Sequence, residues 1–169
     1  MSSEGLKIRD AITKKIISSK LFKNVRNQPT PTVQPGEVPV CCVFLLSETK
    51  NADGDANAGY PHFEAEITIG ISVTVGGGKD VPAIDLQADE YITTIETSLL
   101  TDETFISPLK NDGLFEAILR TNSRRFYPDQ GDVFLIENRL EMTFLKRVDY
   151  PPPMETNNEQ PTIKFCRKN

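Results

Sequence analysis

Phe63-Glu-Ala-Glu-Ile-Thr-Ile-Gly-Ile-Ser-Val-Thr-Val75 is the stretch that decides the fold. Phe63, Ala65, Ile67, Ile69, Ile71, Val73 and Val75 take every second place, and Glu64, Glu66, Thr68, Gly70, Ser72 and Thr74 fill the gaps. Successive side chains of a strand point to opposite faces, so this run has one apolar and one polar face. That pattern predicts a long strand in an antiparallel sheet with one covered face. Upstream, Val38 to Ser47 is apolar almost throughout. A short unbroken apolar run predicts a strand buried on both faces. Between them, Glu48 to Pro61 reads as a polar hairpin loop, functional or disordered at that length. Downstream, Gly76-Gly77-Gly78-Lys79 leads into a helix from Pro82 to Leu100, with Asp80 as its cap. Ile84, Ala88, Ile92, Ile95 and Leu99 form its buried stripe.

Further out, Ser3 to Lys20 reads as a first helix on Ile8, Ile12 and Ile16, capped by Ser2 or Ser3. Asn24 to Pro39 reads as a Pro-rich extended connection. Thr101 to Gly113 is irregular, with room for a short turn around Phe105 to Leu109. Leu114 to Tyr127 and Val133 to Val148 read as a second hairpin around Pro128 to Asp132. Phe134, Ile136, Leu140, Met142, Phe144 and Val148 share one parity, broken by Asn138 and Lys146. The expected fold is α+β, in the order α-β-β-α-β-β. Its sheet is mainly antiparallel and four-stranded, built of two hairpins with both helices on one face. Residues 1–150 form one domain, and 151–169 form an extended tail in which Ile163 and Phe165 can dock.

At 169 residues the chain can bury a core without disulfides or metals. A net charge of −5 argues against nonspecific nucleic-acid binding as its main work. The charge is polarised. Lys7 to Arg26 carries seven bases and one acid, and Asp80 to Glu103 carries seven acids and no base. Opposite poles suit head-to-tail contact between like subunits; two solvated helix faces would look the same. On this ground Lys14, Lys15 and Lys20 of one subunit are expected against Asp85, Asp89 and Glu96 of the next. Arg120, Arg124 and Arg125, with Lys146 and Arg147, read either as a charged outer sheet face or as a contact to an acidic neighbour or passing DNA. Cys41, Cys42 and Cys166 are odd in number, and the first two are adjacent. With no apolar leader at the N-terminus, reduced thiols made in a cytosol are expected. No apolar run approaches membrane-spanning length, so no membrane partner is expected.

Patterns that could carry chemistry are weak. Gly76 to Asp80 sits where a phosphate loop would. The pattern needs Gly five places before Gly-Lys and Ser or Thr after it, and the chain has Val73 and Asp80. A turn is the simpler account. Asp53, Asp55, Asn57 and Glu64 match positions 1, 3, 5 and 12 of a calcium loop, but Ala58 takes the glycine position and strands flank it. His62 is the one histidine and has no Cys, Ser or second His at a catalytic or ligating spacing. Neither a catalytic site, nor a metal site, nor a cofactor is expected.

The arrangement resembles the phage tail terminator (tail completion) proteins of the minor tail protein U type. It does so through the helix Leu6–Ile17, the Pro-rich passage into Val38–Leu46, the strand Phe63–Val75 and the helix Ile84–Leu99. The closing strand is Glu141-Met-Thr-Phe-Leu-Lys-Arg-Val-Asp-Tyr150. The resemblance implies a non-enzymatic virion component in the tail, assembled in the host cytoplasm. It would form a homohexameric ring on the last ring of the tail tube, with Arg120, Arg124 and Arg125 toward the lumen or tube, stop tube growth and offer a surface to the head–tail connector. DNA would pass through transiently. Another ring-forming phage part, such as a connector, tube or baseplate protein, is the alternative, followed by a small-molecule-binding domain or enzyme.

Overall fold

The alternating stretch forms the central strand of a mixed sheet. The computed structural model describes residues 3–27, 33–53, 62–76, 81–128 and 134–150. Among them the elements run α1 (Glu4–Ser19), β1 (Asn24–Arg26), a 3-10 turn (Pro35–Glu37), β2 (Val40–Ala52), β3 (His62–Gly76), α2 (Val81–Leu100), α3 (Glu103–Ile106), β4 (Ala117–Phe126) and β5 (Leu135–Asp149). The sheet order is β1-β2-β3-β5-β4, and β3 pairs antiparallel with β2 on one side and β5 on the other. Every apolar residue of β3 from Ala65 to Val75 is at most 1% exposed, so the predicted covered face is the core face.

Three features differ from the four-stranded expectation. Asn24 to Arg26, inside the expected Pro-rich connection, pairs parallel with Val40 to Cys42 and makes the sheet five-stranded and mixed. Three residues are too few to show a period, and only backbone pairing reveals them. β2 also runs on to Ala52, through residues expected as loop, because Glu48 to Ala52 keep pairing with Ile67 to Phe63. Ladder hydrogen bonds require no apolar side chain, so the polar sequence hid this half of the strand. Finally, the short turn expected near Phe105 is a four-residue helix, α3. Asp102 caps it, accepting from the Thr104 backbone N–H at 2.8 Å.

α1 begins where Ser3 Oγ accepts the Leu6 N–H at 3.2 Å. It ends where Lys20 turns left-handed, at φ 58°, and donates its N–H to Ile17. Ile8, Ile12 and Ile16 bury against the sheet, each contributing about 1.5–3 kcal/mol. α2 buries Ile84, Ala88, Ile92, Ile95 and Leu99 as the spacing predicts. Phe105, Phe115 and Phe144 close the core beneath α3, with ring centroids 4.8–6.3 Å apart. The two residues that break the apolar parity of β5 each find a partner, although Asn138 Nδ2 stays buried without one. Asn138 accepts from Ser123 Oγ at 3.1 Å, and Lys146 donates to the Gly113 carbonyl.

All three helices lie on this one face. Among the described residues, the other face of the sheet is covered at one end, where Val33 packs on Val40, Cys42 and Phe44. Val40 to Phe44 is therefore buried on both sides, but the run expected to be so from Val38 to Ser47 is not buried throughout, since Leu46 is 41% exposed. The small residues of β3 on that face are filled from within the chain. A Cβ on Gly70 would lie 2.6 Å from the Phe44 ring, so glycine is what lets that ring lie across the strand. Ser72 donates to Glu137 at 2.7 Å, which also accepts from Arg139 at 2.9 Å. The Arg139 guanidinium sits between the rings of Phe44 and Phe126, at 5.4 and 4.8 Å from their centroids.

Candidate assembly surface

Strand parity sorts the three arginines of β4. Arg120 lies opposite Thr143 and Arg124 opposite Arg139, both on the face without helices. A bulge between Ile118 and Arg120 sets that register. Together with Thr68, Asn122, Glu141 and Thr143 they line a groove of about 310 Å³. Arg120 Nε donates to Thr143 Oγ1 at 3.1 Å, and Arg124 Nε stands 3.7 Å from Glu141. The groove is thus polar and of mixed charge, with exposed Arg124 at its rim. Leu46 and Phe126 are 41% and 38% exposed on the same face.

Arg125, by contrast, lies opposite Asn138 on the helix face and reaches α2. It donates to Asp85 and to Asp89, each at 3.0 Å. Partial burial alone would pull its pKa down. The Tyr127 hydroxyl and the two carboxylates outweigh that and hold it above the ordinary value. So Arg125 joins two acids that the sequence assigned to a different surface, and it leaves the company of Arg120 and Arg124. The second oxygen of Asp85, Oδ1, is buried without a hydrogen-bond partner. Glu96 is half-buried farther along α2.

The basic trio of α1 is also divided. Lys15 forms an ion pair with Asp102, and its ammonium lies 5.8 Å from the centre of the Phe105 ring. Lys15 thereby ties α1 to the start of α3. Lys14 points to solvent, and Lys20 is the exposed left-handed cap. No sequence pattern marks the Lys15–Asp102 pair, since it depends on how the two helices settle on the sheet.

The weak motifs gain little. Asp53 and Glu64 lie on strand ends or strands; Asp55, Asn57 and Ala58 lie outside the described residues. Asp53 stands 3.7 Å from Arg147, and its N–H bonds the His62 carbonyl at 2.9 Å. Gly76 is the last residue of β3, while residues 77–80 are not described. His62 Nδ1 lies 2.7 Å from Asp149 on the exposed sheet end. Among the described residues no group of three His, Cys, Asp or Glu could hold a metal ion, and no helix is long and apolar enough to cross a membrane.

Helices on one face of a mixed sheet, with a polar groove on the other, define an α+β domain. No protein-family model matches the chain, and no curated protein matches it.

Proposed function

We propose that the chain is a structural virion protein of the tail-terminator kind. In this role it forms a ring, a homohexamer, that caps the tail tube, stops its polymerisation and joins the tail to the head. The observation that carries this is the sheet face without helices. Among the described residues, most of that face has no second layer, and it presents arginines beside partly exposed Leu46 and Phe126. Interfaces between subunits favour Arg and aromatic residues around a dry centre. The sequence resemblance supplies the identity of the neighbours: the tube protein on one side of the ring and the connector on the other.

Within such a ring, Arg120 and Arg124 face the tube or lumen, and the exposed Lys14 and Lys20 meet the acids of the next α2. Asp85 and Asp89 are already shared with Arg125, so part of their charge is spent within the subunit. Native mass spectrometry of the purified protein, alone and with polymerising tube protein, tests the proposal. Six copies of the 18.9 kDa chain in one particle, and tubes of limited length in its presence, are expected. Tubes that grow equally long with and without it would exclude the terminator role. Asp89→Lys is expected to weaken the particle; an unchanged oligomer by light scattering would remove Asp89 from the interface.

A further inference from the structure

On the sheet face without helices, β2, β3 and β5 carry a second, smaller hollow of about 90 Å³. Val33 and the Phe44 ring form its apolar wall, and Ser72, Thr74, Glu137 and Arg139 form its polar one. The strand register puts these polar groups side by side, with Ser72 opposite Arg139 and Thr74 opposite Glu137. Ser72 and Thr74 are only 6% and 5% exposed. The volume equals that of about three liquid waters, which is also room for a small polar group on a short stem.

The polar wall is incompletely satisfied. Arg139 Nη2 donates to Glu137 Oε1 at 2.9 Å, and Ser72 Oγ donates to the same oxygen at 2.7 Å. Arg139 Nε is buried without a hydrogen-bond partner. The rings of Phe44 and Phe126 flank the guanidinium and hold its direction. Among the described residues, neither Glu137 Oε2 nor the Thr74 hydroxyl makes a hydrogen bond. The hollow therefore offers a donor, an acceptor and a hydroxyl that serves as either. A buried N–H without a partner is rare in a folded protein and calls for an acceptor.

Charge decides what fits. Glu137 and Arg139 cancel, so the hollow is neutral and disfavours a buried ion. A carboxylate would meet Glu137 with no proton to offer, and an ammonium would meet Arg139. A primary amide has a carbonyl oxygen to accept from Arg139 Nε–H and N–H groups to donate to Glu137 Oε2 and Thr74. Its aliphatic stem lies against Val33 and Phe44.

We propose that this hollow is a socket for a primary amide, the side chain of an asparagine or glutamine on a neighbouring protein chain. The source of the amide rests on the assembly reading, which gives this face to neighbours; the amide chemistry does not.

NMR of the full-length protein titrated with propionamide tests the chemistry. Saturable shifts are expected at the Arg139 Nε–H and at the Ser72 and Thr74 amides, with a Kd of about 1–10 mM. Propionate, which is charged and lacks the donors, and butanone, which lacks the donors alone, should each bind at least about tenfold more weakly. Glu137→Gln keeps an acceptor for Ser72 and Arg139 but removes the negative charge, so it should reverse the preference in favour of propionate. An unchanged preference would remove Glu137 from the socket. Absent shifts at these residues, or equal binding of the three compounds, would overturn the socket and leave a water-filled hollow, while the terminator reading would still stand or fall on tube length. N-acetylglutamine methylamide presents the same amide on a peptide backbone and is expected to bind at least as tightly as propionamide. Its exclusion while propionamide binds would overturn the neighbouring chain as the source, in favour of a free small amide.

Discussion

Replacing Gly70 with alanine is expected to destabilise the fold, and the penalty is expected to vanish when the Phe44 ring is removed. The added Cβ would lie 2.6 Å from Phe44 Cε2, 2.8 Å from Phe44 Cζ and 3.2 Å from Leu46 Cδ1. Carbon atoms pack best at about 3.5–4.0 Å, so the ring must retreat by about 1 Å. It has little room to do so. Phe44 is 7% exposed, and Arg139 bridges its ring to that of Phe126. Overpacking of this kind costs about 1–3 kcal/mol. Alanine also restricts the unfolded chain relative to glycine, which returns about 0.5–1 kcal/mol. The net loss for Gly70→Ala is therefore about 0.5–2 kcal/mol. Phe44→Leu deletes the two ring atoms nearest the new Cβ, at a cost of its own of about 1–2 kcal/mol. In that background Gly70→Ala should be neutral or stabilising. Urea unfolding of the four proteins of this cycle gives the coupling directly, expected at about 1–2 kcal/mol. Additive effects would refute the claim that Gly70 is small for the sake of Phe44, and would return the small residues of this face to service for a partner.

Two further outcomes follow from the same geometry. Glu37 is held below the usual carboxylate range, first by the Gln34 backbone N–H and then by Arg26. A depressed folded pKa gives stability that is full above the unfolded value and lost as pH falls through the folded one. Glu37→Gln should therefore melt below the unsubstituted protein at neutral pH and converge with it in acid; a gap constant across pH would contradict the assignment. Burial, with Cys42 beside it, pushes the Cys41 thiol well above its ordinary value. Iodoacetamide should leave Cys41 and Cys42 unmodified in the folded protein, as read by peptide mass spectrometry, and labelling at the rate of the denatured chain would show that the β2 core opens readily.

What the sequence discloses, and what it withholds, follows from the range of the forces involved. The run from Phe63 to Val75 shows its strand through a period of two, and Ile8, Ile12 and Ile16 show their helix through a period near four. These are local properties of covered faces. The parallel strand at Asn24 and the polar end of β2 have no such pattern, because backbone pairing alone makes them strands. The arginines of β4 illustrate both limits. That adjacent Arg124 and Arg125 must face opposite ways is already implied by the strand period, and treating them as one patch overlooks it. That Arg125 then meets Asp85 and Asp89, about forty residues earlier in the chain, is a matter of how closely α2 settles beside β4. The consequence bears on assembly. A charge pole counted along the sequence overstates what a neighbouring subunit meets, since Arg125 holds two of the α2 acids and Lys15 holds Asp102. Among the described residues, the charges left for a partner are fewer and better placed: they include Lys14, Lys20 and Lys23 near α1, Glu90 and half-buried Glu96 on α2, and Arg120 across the sheet.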